Sequence, residues 1–108
     1  MTKQIKNNTL PFNEQCYTLL MLIPKGKITT YKAMAEALGT KAYQAVGNAM
    51  AANPNPIIVP CHRVVNANGA LGNYAFGIDK KTALLESEGL QIKDGKIVDF
   101  ETHLFTFN

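Results

Sequence analysis

The sequence predicts a mostly α-helical domain of the helix-turn-helix type, with short strands and one hairpin. Three observations predict it. Apolar side chains recur at helical spacing over residues 12–23. Two short helical segments, residues 31–38 and 42–52, flank a glycine-containing turn. Near the end, Asp94-Gly95 between two short apolar runs is a strong hairpin signal. A chain of 108 residues suits one domain with its own core, so we expect a single domain over residues 1–108.

The first predicted helix spans residues 12–23 and begins near Pro11 or Asn13. Its inward positions are three or four residues apart: Phe12, Cys16, Leu19, Leu20 and Ile23. A turn over residues 24–27 follows, because proline and glycine interrupt the pattern there. We expect Cys16 to be a core residue, since it lies on the apolar face.

The next two helices form the predicted helix-turn-helix. Thr30 can cap the helix over residues 31–38, and Gly39 can end it in the left-handed conformation that glycine tolerates best. The helix over residues 42–52 is rich in alanine and contains Gly47. Two interpretations fit a helix with such small side chains: it lies close to a partner such as DNA, or it packs tightly against another helix.

The second half of the chain contains more turns. The two prolines of residues 53–56 exclude a helix, and residues 57–59 are predicted to be a short, buried, extended run. After a turn at residues 66–69 and a glycine-rich loop at 71–77, Asp79 can cap a fourth helix that runs to Glu88 and stops at Gly89. The hairpin strands are residues 91–93 and 96–98, and residues 101–108 are predicted to be either a strand or a frayed tail.

The charge distribution is uneven. Residues 1–81 hold nine Lys/Arg and three Asp/Glu, a net charge of +6, whereas residues 82–108 hold two and five, a net charge of −3. The positive portion suits a polyanionic partner, although Arg63 is the chain's one arginine. The polar N-terminus has no signal-peptide pattern, and no stretch approaches the ~18 apolar residues of a membrane span. We therefore expect a cytoplasmic protein, or a nuclear one in a eukaryote, with reduced thiols. We also expect it to be a monomer.

The best candidate for chemistry is Cys61, which follows Pro60 and precedes His62-Arg63. A thiolate is the nucleophilic form of cysteine, and a neighbouring cation or imidazole lowers the thiol pKa. Adjacent side chains of an extended segment point apart, so His62 would act through a water or a bent backbone. A nucleophile and a buried cysteine with polar neighbours both remain open on these residues alone. The spacing of Cys16, Cys61, His62 and His103 offers no paired zinc-ligand motif, so we expect no metal and no cofactor.

The motif Pro60-Cys61-His62-Arg63-Val64 resembles the active-site motif of the O6-alkylguanine-DNA alkyltransferases, the methylated-DNA–protein-cysteine methyltransferases. Further motifs follow the family's order and nearly its spacing over about residues 12–90: Ile23-Pro24-x-Gly26, Thr30-Tyr31, Ala45-Val46-Gly47, Asn53-Pro54, Gly69-x-Leu71-x-Asn73-Tyr74 and Lys81-x-x-Leu84-Leu85-x-x-Glu88-Gly89. The resemblance implies a winged helix-turn-helix-like catalytic and DNA-binding domain, without the RNase H-like domain that usually precedes it. It also implies minor-groove binding and extrusion of the damaged base, since stacking hides the atom under attack.

The resemblance also implies roles for the catalytic residues. Cys61 would take the alkyl group irreversibly, and His62 would accept the thiol proton through a water. Glu88 would orient His62, and Tyr31 would donate toward the base nitrogen that gains charge as guanine leaves.

The residues that contact substrate are implied in the same way. The Val64 carbonyl and the loop at Tyr74 would read the base edge, and Asn53 would tie the turn before Cys61 to the third helix. Lys81 would contribute to the pocket or its hydrogen bonds. Arg63 is predicted to contact DNA.

Two positions depart from the family's pattern. Gln44, preceded by Tyr43, occupies the place of an arginine that enters the duplex where the guanine leaves. Ala75 occupies the place of a residue that often supplies a hydroxyl to the leaving base. Because Gln is shorter and uncharged, we predict weaker DNA binding than a full-length relative would show. Comparable affinities in a side-by-side salt titration would contradict that prediction.

Three functions therefore compete: a single-turnover alkyltransferase acting on double-stranded DNA that contains O6-alkylguanine, an alkyltransferase-like protein that binds the lesion without repairing it, and a thiol hydrolase or redox protein unrelated to DNA. Proteins of the second kind typically have tryptophan at the position of Cys61, which favours the first.

Overall fold

The computed structural model describes residues 10–107 and confirms the predicted helix-rich fold. The helices are α1 (Phe12–Leu20), α2 (Tyr31–Ala37), α3 (Tyr43–Ala51), α4 (Ile78–Ser87) and α5 (Phe100–His103). The strands are β1 (Thr29–Thr30), β2 (Val64–Val65), β3 (Ile92–Lys93) and β4 (Lys96–Ile97), and a 3₁₀ turn spans Cys61–Arg63. The polar N-terminal segment singled out in the sequence lies outside the described residues.

Helices α2 and α3 form the predicted helix-turn-helix. The Thr30 hydroxyl caps α2 by accepting a hydrogen bond from the Ala33 backbone N–H, at 3.0 Å. At its end, Gly39 has a φ of +75°, and the backbone N–H of Thr40 donates to the Ala35 carbonyl at 3.0 Å. This arrangement is a Schellman motif, which ends a helix sharply and turns the chain. This turn sets the direction in which the chain continues into α3.

Two small sheets connect the helical part to the C-terminal part. Strand β1 pairs in parallel with β2, with Thr29 opposite Val64 and Thr30 opposite Val65. Strand β3 pairs antiparallel with β4 across Asp94-Gly95, whose φ angles of +53° and +75° fit the turn predicted from the sequence. The β1–β2 pair fixes the segment that follows Cys61 against the start of α2.

Two apolar clusters form the core. The larger one unites α1, α2 and α3 with Val64 and Phe107, and it includes both Cys16 and Cys61. The smaller one lies beneath α4 and the hairpin and consists of Ile28, Val65, Leu71, Leu85, Leu90 and Ile97. The two β2 residues, Val64 and Val65, pack into different clusters, because successive side chains of a strand point to opposite faces. Cys16 is fully buried, as predicted.

The boundaries of three predicted elements were wrong. Helix α1 ends at Leu20, although Ile23 is still buried in the turn that follows. Gly77, not Asp79, is the residue before α4, and Asp79 lies in its first turn, where a carboxylate favours the helix dipole. The C-terminal residues form α5 and then an extended segment whose Leu104 bridges Ile28, instead of one strand or a frayed tail.

The extended run predicted for residues 57–59 was also wrong. Ile57 has a φ of +79°, and Ile57 and Ile58 are 45% and 74% exposed. The backbone N–H of Val59 donates to the Asn55 carbonyl at 2.9 Å, which closes a tight turn. Within residues 10–107, none of the helices has the length and apolar character needed to cross a membrane.

Candidate active site

Cys61 is presented by two consecutive tight turns instead of the extended segment predicted from the sequence. Its backbone N–H donates to the Val59 carbonyl at 2.8 Å around Pro60, whose φ of −81° and ψ of 65° are those of an inverse γ-turn. The Arg63 N–H then donates to the Pro60 carbonyl at 3.0 Å, which forms the 3₁₀ turn. Because this backbone is bent, the side chains of Cys61 and His62 need not point to opposite sides, as they would on a strand.

Asn53 holds this bent segment to the end of α3. Its side-chain amide donates to the Val59 carbonyl at 2.8 Å, and its side-chain oxygen accepts from the Asn55 N–H at 3.0 Å. Asn53 is 7% exposed, so both hydrogen bonds are protected from water. Asn53 therefore connects α3 to the turn before Cys61, the geometry that its predicted role requires.

His62 and Glu88 form a buried pair next to Cys61. His62 is fully buried, and its Nε2 lies 3.0 Å from the Glu88 Oε2. Although burial opposes ionisation of Glu88, hydrogen bonds from Arg63 and His62 outweigh it and hold the pKa of the carboxyl below its usual value. An ionised carboxylate only accepts hydrogen bonds, so His62 must carry a proton on Nε2 and donate it.

The second ring nitrogen of His62 is the one that can accept a proton. Burial lowers the pKa of His62, while the hydrogen bond and charge of Glu88 partly oppose the shift, so the imidazole is neutral near pH 7. With Nε2 protonated, Nδ1 holds the lone pair, and within the described residues this buried atom has no hydrogen-bond partner. The tautomer set by Glu88 thus leaves an acceptor available on the residue adjacent to the thiol.

We predicted that Arg63 contacts DNA, but in the structure its guanidinium binds Glu88 and the Ile23 carbonyl. Its Nε and Nη2 donate to Glu88 Oε1 and Oε2 at 2.9 and 2.6 Å, and its Nη1 donates to the Ile23 carbonyl at 2.7 Å. The Arg63 side chain is 14% exposed, and such a bidentate pair satisfies most of its donors. The chain's single arginine therefore holds Glu88 in place beneath His62.

Lys81 is fully buried on α4 behind the site. Its Nζ donates to the Val64 carbonyl at 2.7 Å and to the Asn73 carbonyl at 3.2 Å, which joins β2 to the loop over residues 71–77. Burial lowers the pKa of Lys81 to about 8, against a smaller opposing effect from Cys61. A neutral amine retains two protons, so it can still make both hydrogen bonds.

The depressed pKa of Lys81 makes the protein's stability depend on pH. Between pH of about 8 and 10.5 the unfolded chain binds the proton more tightly than the folded one, so stability rises with pH over this window. From pH 7.5 to 9.5 we expect the wild type to gain about 2 kcal/mol in free energy of unfolding relative to Lys81→Met, which lacks the titrating group. Urea unfolding of both proteins at each pH measures the difference. If the difference in free energy of unfolding between the two proteins is the same at both pH values, Lys81 keeps its ordinary pKa in the folded protein.

A cleft of about 730 Å³ opens between α3 and the loop over residues 71–77, and Cys61, 3% exposed, lies in its wall. Its walls include the residues Tyr31, Tyr43, Gln44, Gly47, Asn48, Met50, Ala51, Cys61, Asn66, Gly72, Asn73, Tyr74 and Ala75. Among these described residues there is no charged side chain. Its volume falls in the range of small-molecule sites, about 300–1,000 Å³, and its lining offers amides and hydroxyls rather than ions.

The two predicted tyrosines lie around Cys61. Burial, and secondarily the Cys61 charge, raise the pKa of Tyr31 and of Tyr74, so both remain protonated donors. The Tyr74 ring meets the His62 ring edge-on, with centroids 6.4 Å apart, and its hydroxyl has no partner within the described residues. The Tyr31 hydroxyl is therefore suited to donate a hydrogen bond to a ligand in the cleft, whereas the Tyr74 hydroxyl is buried.

Of the predicted site residues, the structure brings Tyr31, Tyr43, Gln44, Cys61, Tyr74 and Ala75 to the cleft. His62, Glu88, Asn53, Val64 and Lys81 support it from behind. Several lining residues were not predicted from the sequence: Gly47, Asn48, Met50, Ala51, Asn66, Gly72 and Asn73. A signal existed for Gly72, since a glycine-rich loop next to an active-site tyrosine suggests a close approach. A side chain there would lie 3.4 Å from the Tyr31 hydroxyl.

The fold and the site together define a class: a helix-turn-helix domain with a cysteine in a cleft beside its second helix and a histidine–carboxylate pair behind it. Residues 11–90 match the family model described as 6-O-methylguanine DNA methyltransferase, DNA binding domain. The chain therefore belongs to this family, and the resemblance inferred from its motifs is confirmed.

Similar proteins agree with this assignment. A methylated-DNA–protein-cysteine methyltransferase of Saccharolobus solfataricus is 44% identical over 94 residues, 87% of this chain and 61% of that protein. The chain thus spans about three-fifths of the length of such curated relatives. The solved structure of Mycobacterium tuberculosis OGT in complex with DNA matches with a TM-score of 0.72 and 43% identity, over 74% of this chain and 49% of that one.

A second group of structures is closer in length. The S. pombe ATL protein in complex with DNA matches with a TM-score of 0.73 and 27% identity, over 88% of this chain and 94% of that one. A further S. pombe structure, solved with damaged DNA containing O6-carboxymethylguanine, matches with a TM-score of 0.76 and 28% identity.

Proposed function

We propose that this protein repairs O6-alkylguanine in double-stranded DNA by transferring the alkyl group to Cys61, once per molecule. The observation that carries the proposal is the arrangement at Cys61: a cysteine in a cleft, next to a neutral imidazole whose free nitrogen is available because Glu88 binds the other one. The names of the relatives and their DNA complexes support the choice of substrate. The protein acts as a monomer and needs neither metal nor cofactor.

Proton transfer comes first in this mechanism. The Cys61 thiol gives its proton to His62 Nδ1 through one bridging water, and the Glu88 carboxylate stabilises the imidazolium that results. The buried Glu88 is held by Arg63, so no reorganisation of the pair is required when the charge on His62 appears.

Alkyl transfer follows. The thiolate sulfur attacks the alkyl carbon, the S–C bond forms and the bond from that carbon to O6 breaks. Guanine leaves with the electron pair, and a hydrogen bond from the Tyr31 hydroxyl stabilises the ring nitrogen that gains charge before guanine takes up a proton. Neither water nor cellular thiols cleave a thioether, so the protein is consumed.

Helix α3 would bring DNA to the sulfur. Its exposed face next to the cleft carries short side chains at Gly47, Asn48 and Ala51, and a Cβ at Gly47 would meet no atom within 4 Å. A helix with such a face can approach a narrow groove closely, which supports insertion of α3 into the minor groove. The damaged base then rotates out of the stack into the cleft.

The test is to mix the protein with a duplex containing O6-methylguanine and to determine the mass of the Cys61 and Cys16 peptides. We expect one added methyl group on the Cys61 peptide and none on the Cys16 peptide. An unmodified Cys61 in the presence of excess lesion DNA would overturn the proposal.

The second candidate function is recognition of the lesion without transfer. The match to the S. pombe structures over 94% of their length favours it, and so does Gln44, which replaces the family's arginine. Tight lesion binding with an unchanged Cys61 mass would support it. A thiol hydrolase or redox protein would instead turn over small esters or disulfides and show no preference for DNA.

A further inference from the structure

The lining of the cleft lacks charged groups among the described residues, so polar recognition there depends on carboxamides and hydroxyls. Helix α3 contributes two of the carboxamides, Gln44 and Asn48. They are four residues apart, which places them on the same helix face one turn from each other. Both side chains are exposed. The sequence pattern assigned a role to Gln44 but none to Asn48.

Asn48 has no structural task that the described residues reveal. Asn48 takes part in none of the side-chain hydrogen bonds within residues 10–107, although asparagine is less favourable than alanine inside a helix. One side of α3 is buried through Val46, Ala49 and Met50, and Asn48 lies outside that side. Within the described part of the chain, its donor and its acceptor are therefore both free to bind a ligand at the cleft.

The surroundings of Asn48 allow a short side chain to reach a base. Its neighbours on the exposed face are Gly47 and Ala51, neither of which would keep DNA away from the helix backbone. Asn48 lies about 6 Å along the helix axis from Gln44, the predicted site of the gap left by the extruded guanine. If α3 lies along the groove, where base pairs are about 3.4 Å apart, Asn48 faces a base pair one or two positions from the lesion.

We propose that Asn48 reads the minor-groove edge of this neighbouring base pair and prefers G·C, an inference that rests on the proposed function. In the minor groove an A·T pair offers only acceptors, whereas G·C adds the donor N2 amino group of guanine. A carboxamide has one acceptor and one donor group, so it can accept from that amino group while it donates to an adjacent acceptor. Repair by this protein therefore depends on the sequence next to the lesion.

The test measures single-turnover methyl transfer to Cys61 at limiting protein, with duplexes that differ only next to O6-methylguanine. One duplex carries G·C at the two flanking pairs on each side, and a second carries inosine·C, which lacks only the minor-groove amino group. A third carries 7-deazaguanine·C, which changes only the major groove. For the wild type we expect inosine to slow transfer about fivefold or more and 7-deazaguanine to have little effect.

The Asn48→Ala variant tests whether Asn48 causes the preference for G·C over inosine·C. Alanine favours an exposed helix position, so the variant will fold, and we expect its rates on G·C and inosine·C duplexes to be equal. Gln91→Ala, which removes an exposed carboxamide that does not line the cleft, must keep the wild-type preference. An equal wild-type rate on G·C and inosine·C, or a preference that persists in Asn48→Ala, would overturn the inference. Failure of Cys61 to be methylated on every duplex would instead overturn the proposed function.

Discussion

Replacement of Cys61 by alanine is expected to abolish methyl transfer while DNA that contains the lesion still binds. In the proposed reaction the sulfur forms the bond to the alkyl group, so no residual transfer is expected. The side chain is small and 3% exposed, which limits its own contribution to binding to about 1 kcal/mol, or roughly fivefold. Mass determination of the peptides and fluorescence anisotropy with a lesion-bearing duplex measure the two properties separately.

Cys16→Ala is the matched control. Cys16 is fully buried on α1, does not line the cleft, and has its pKa raised to about 11 by burial, so its thiol is unreactive at neutral pH. This variant should transfer a methyl group like the wild type and lose only about 1 kcal/mol of stability from the space left in the core. A methyl group on Cys16 in the Cys61→Ala protein, or loss of binding together with transfer in a folded Cys61→Ala protein, would contradict the assignment of Cys61.

The parts of this fold that the sequence predicted are those with local signals. Thr30 caps α2, Gly39 ends it, and Asp94-Gly95 closes the hairpin, and each does so through backbone conformations that only a few residue types favour. Such preferences act over two to five residues and are visible without knowledge of the rest of the chain.

The error at residues 57–59 shows where local signals fail. Three apolar residues in sequence are typical of a buried strand, but Asn53 binds the Val59 carbonyl and draws the segment into a tight turn. Ile57 and Ile58 are left exposed as a consequence. The hydrogen bond depends on the position of the end of α3 relative to Pro60. The identities of residues 57–59 carry no information about that position.

The candidate site was predicted in part, and the difference again concerns contacts between distant residues. The resemblance of the motifs to those of the family implied the roles of Cys61, His62 and Glu88. Arg63 was predicted to contact DNA, yet its partner in the structure is Glu88, 25 residues away. Asn48 was missed because an asparagine on a helix carries no chemical signature before the cleft beside it is known.

Replacement of Glu88 by glutamine is expected to slow transfer tenfold or more at neutral pH, and this loss should diminish as the pH rises. Glutamine can still accept the His62 Nε2 proton, so the tautomer is retained, but the negative charge that stabilises the imidazolium is lost. Deprotonation of Cys61 by His62 becomes less favourable as a result. At a pH where the thiol ionises without help from His62, the two proteins should react at similar rates.

The same substitution has a structural cost, which must be separated from the chemical one. Arg63 loses its carboxylate partner while it remains 14% exposed, and such uncompensated buried charge costs about 3 kcal/mol. Urea unfolding measures this loss. Glu86→Gln removes an exposed carboxylate from the same helix end and should change neither stability nor rate by a measurable amount. The pH profile of the transfer rate decides the role of Glu88, because a purely structural role predicts the same fractional loss at every pH, whereas a role through His62 predicts recovery in alkaline solution.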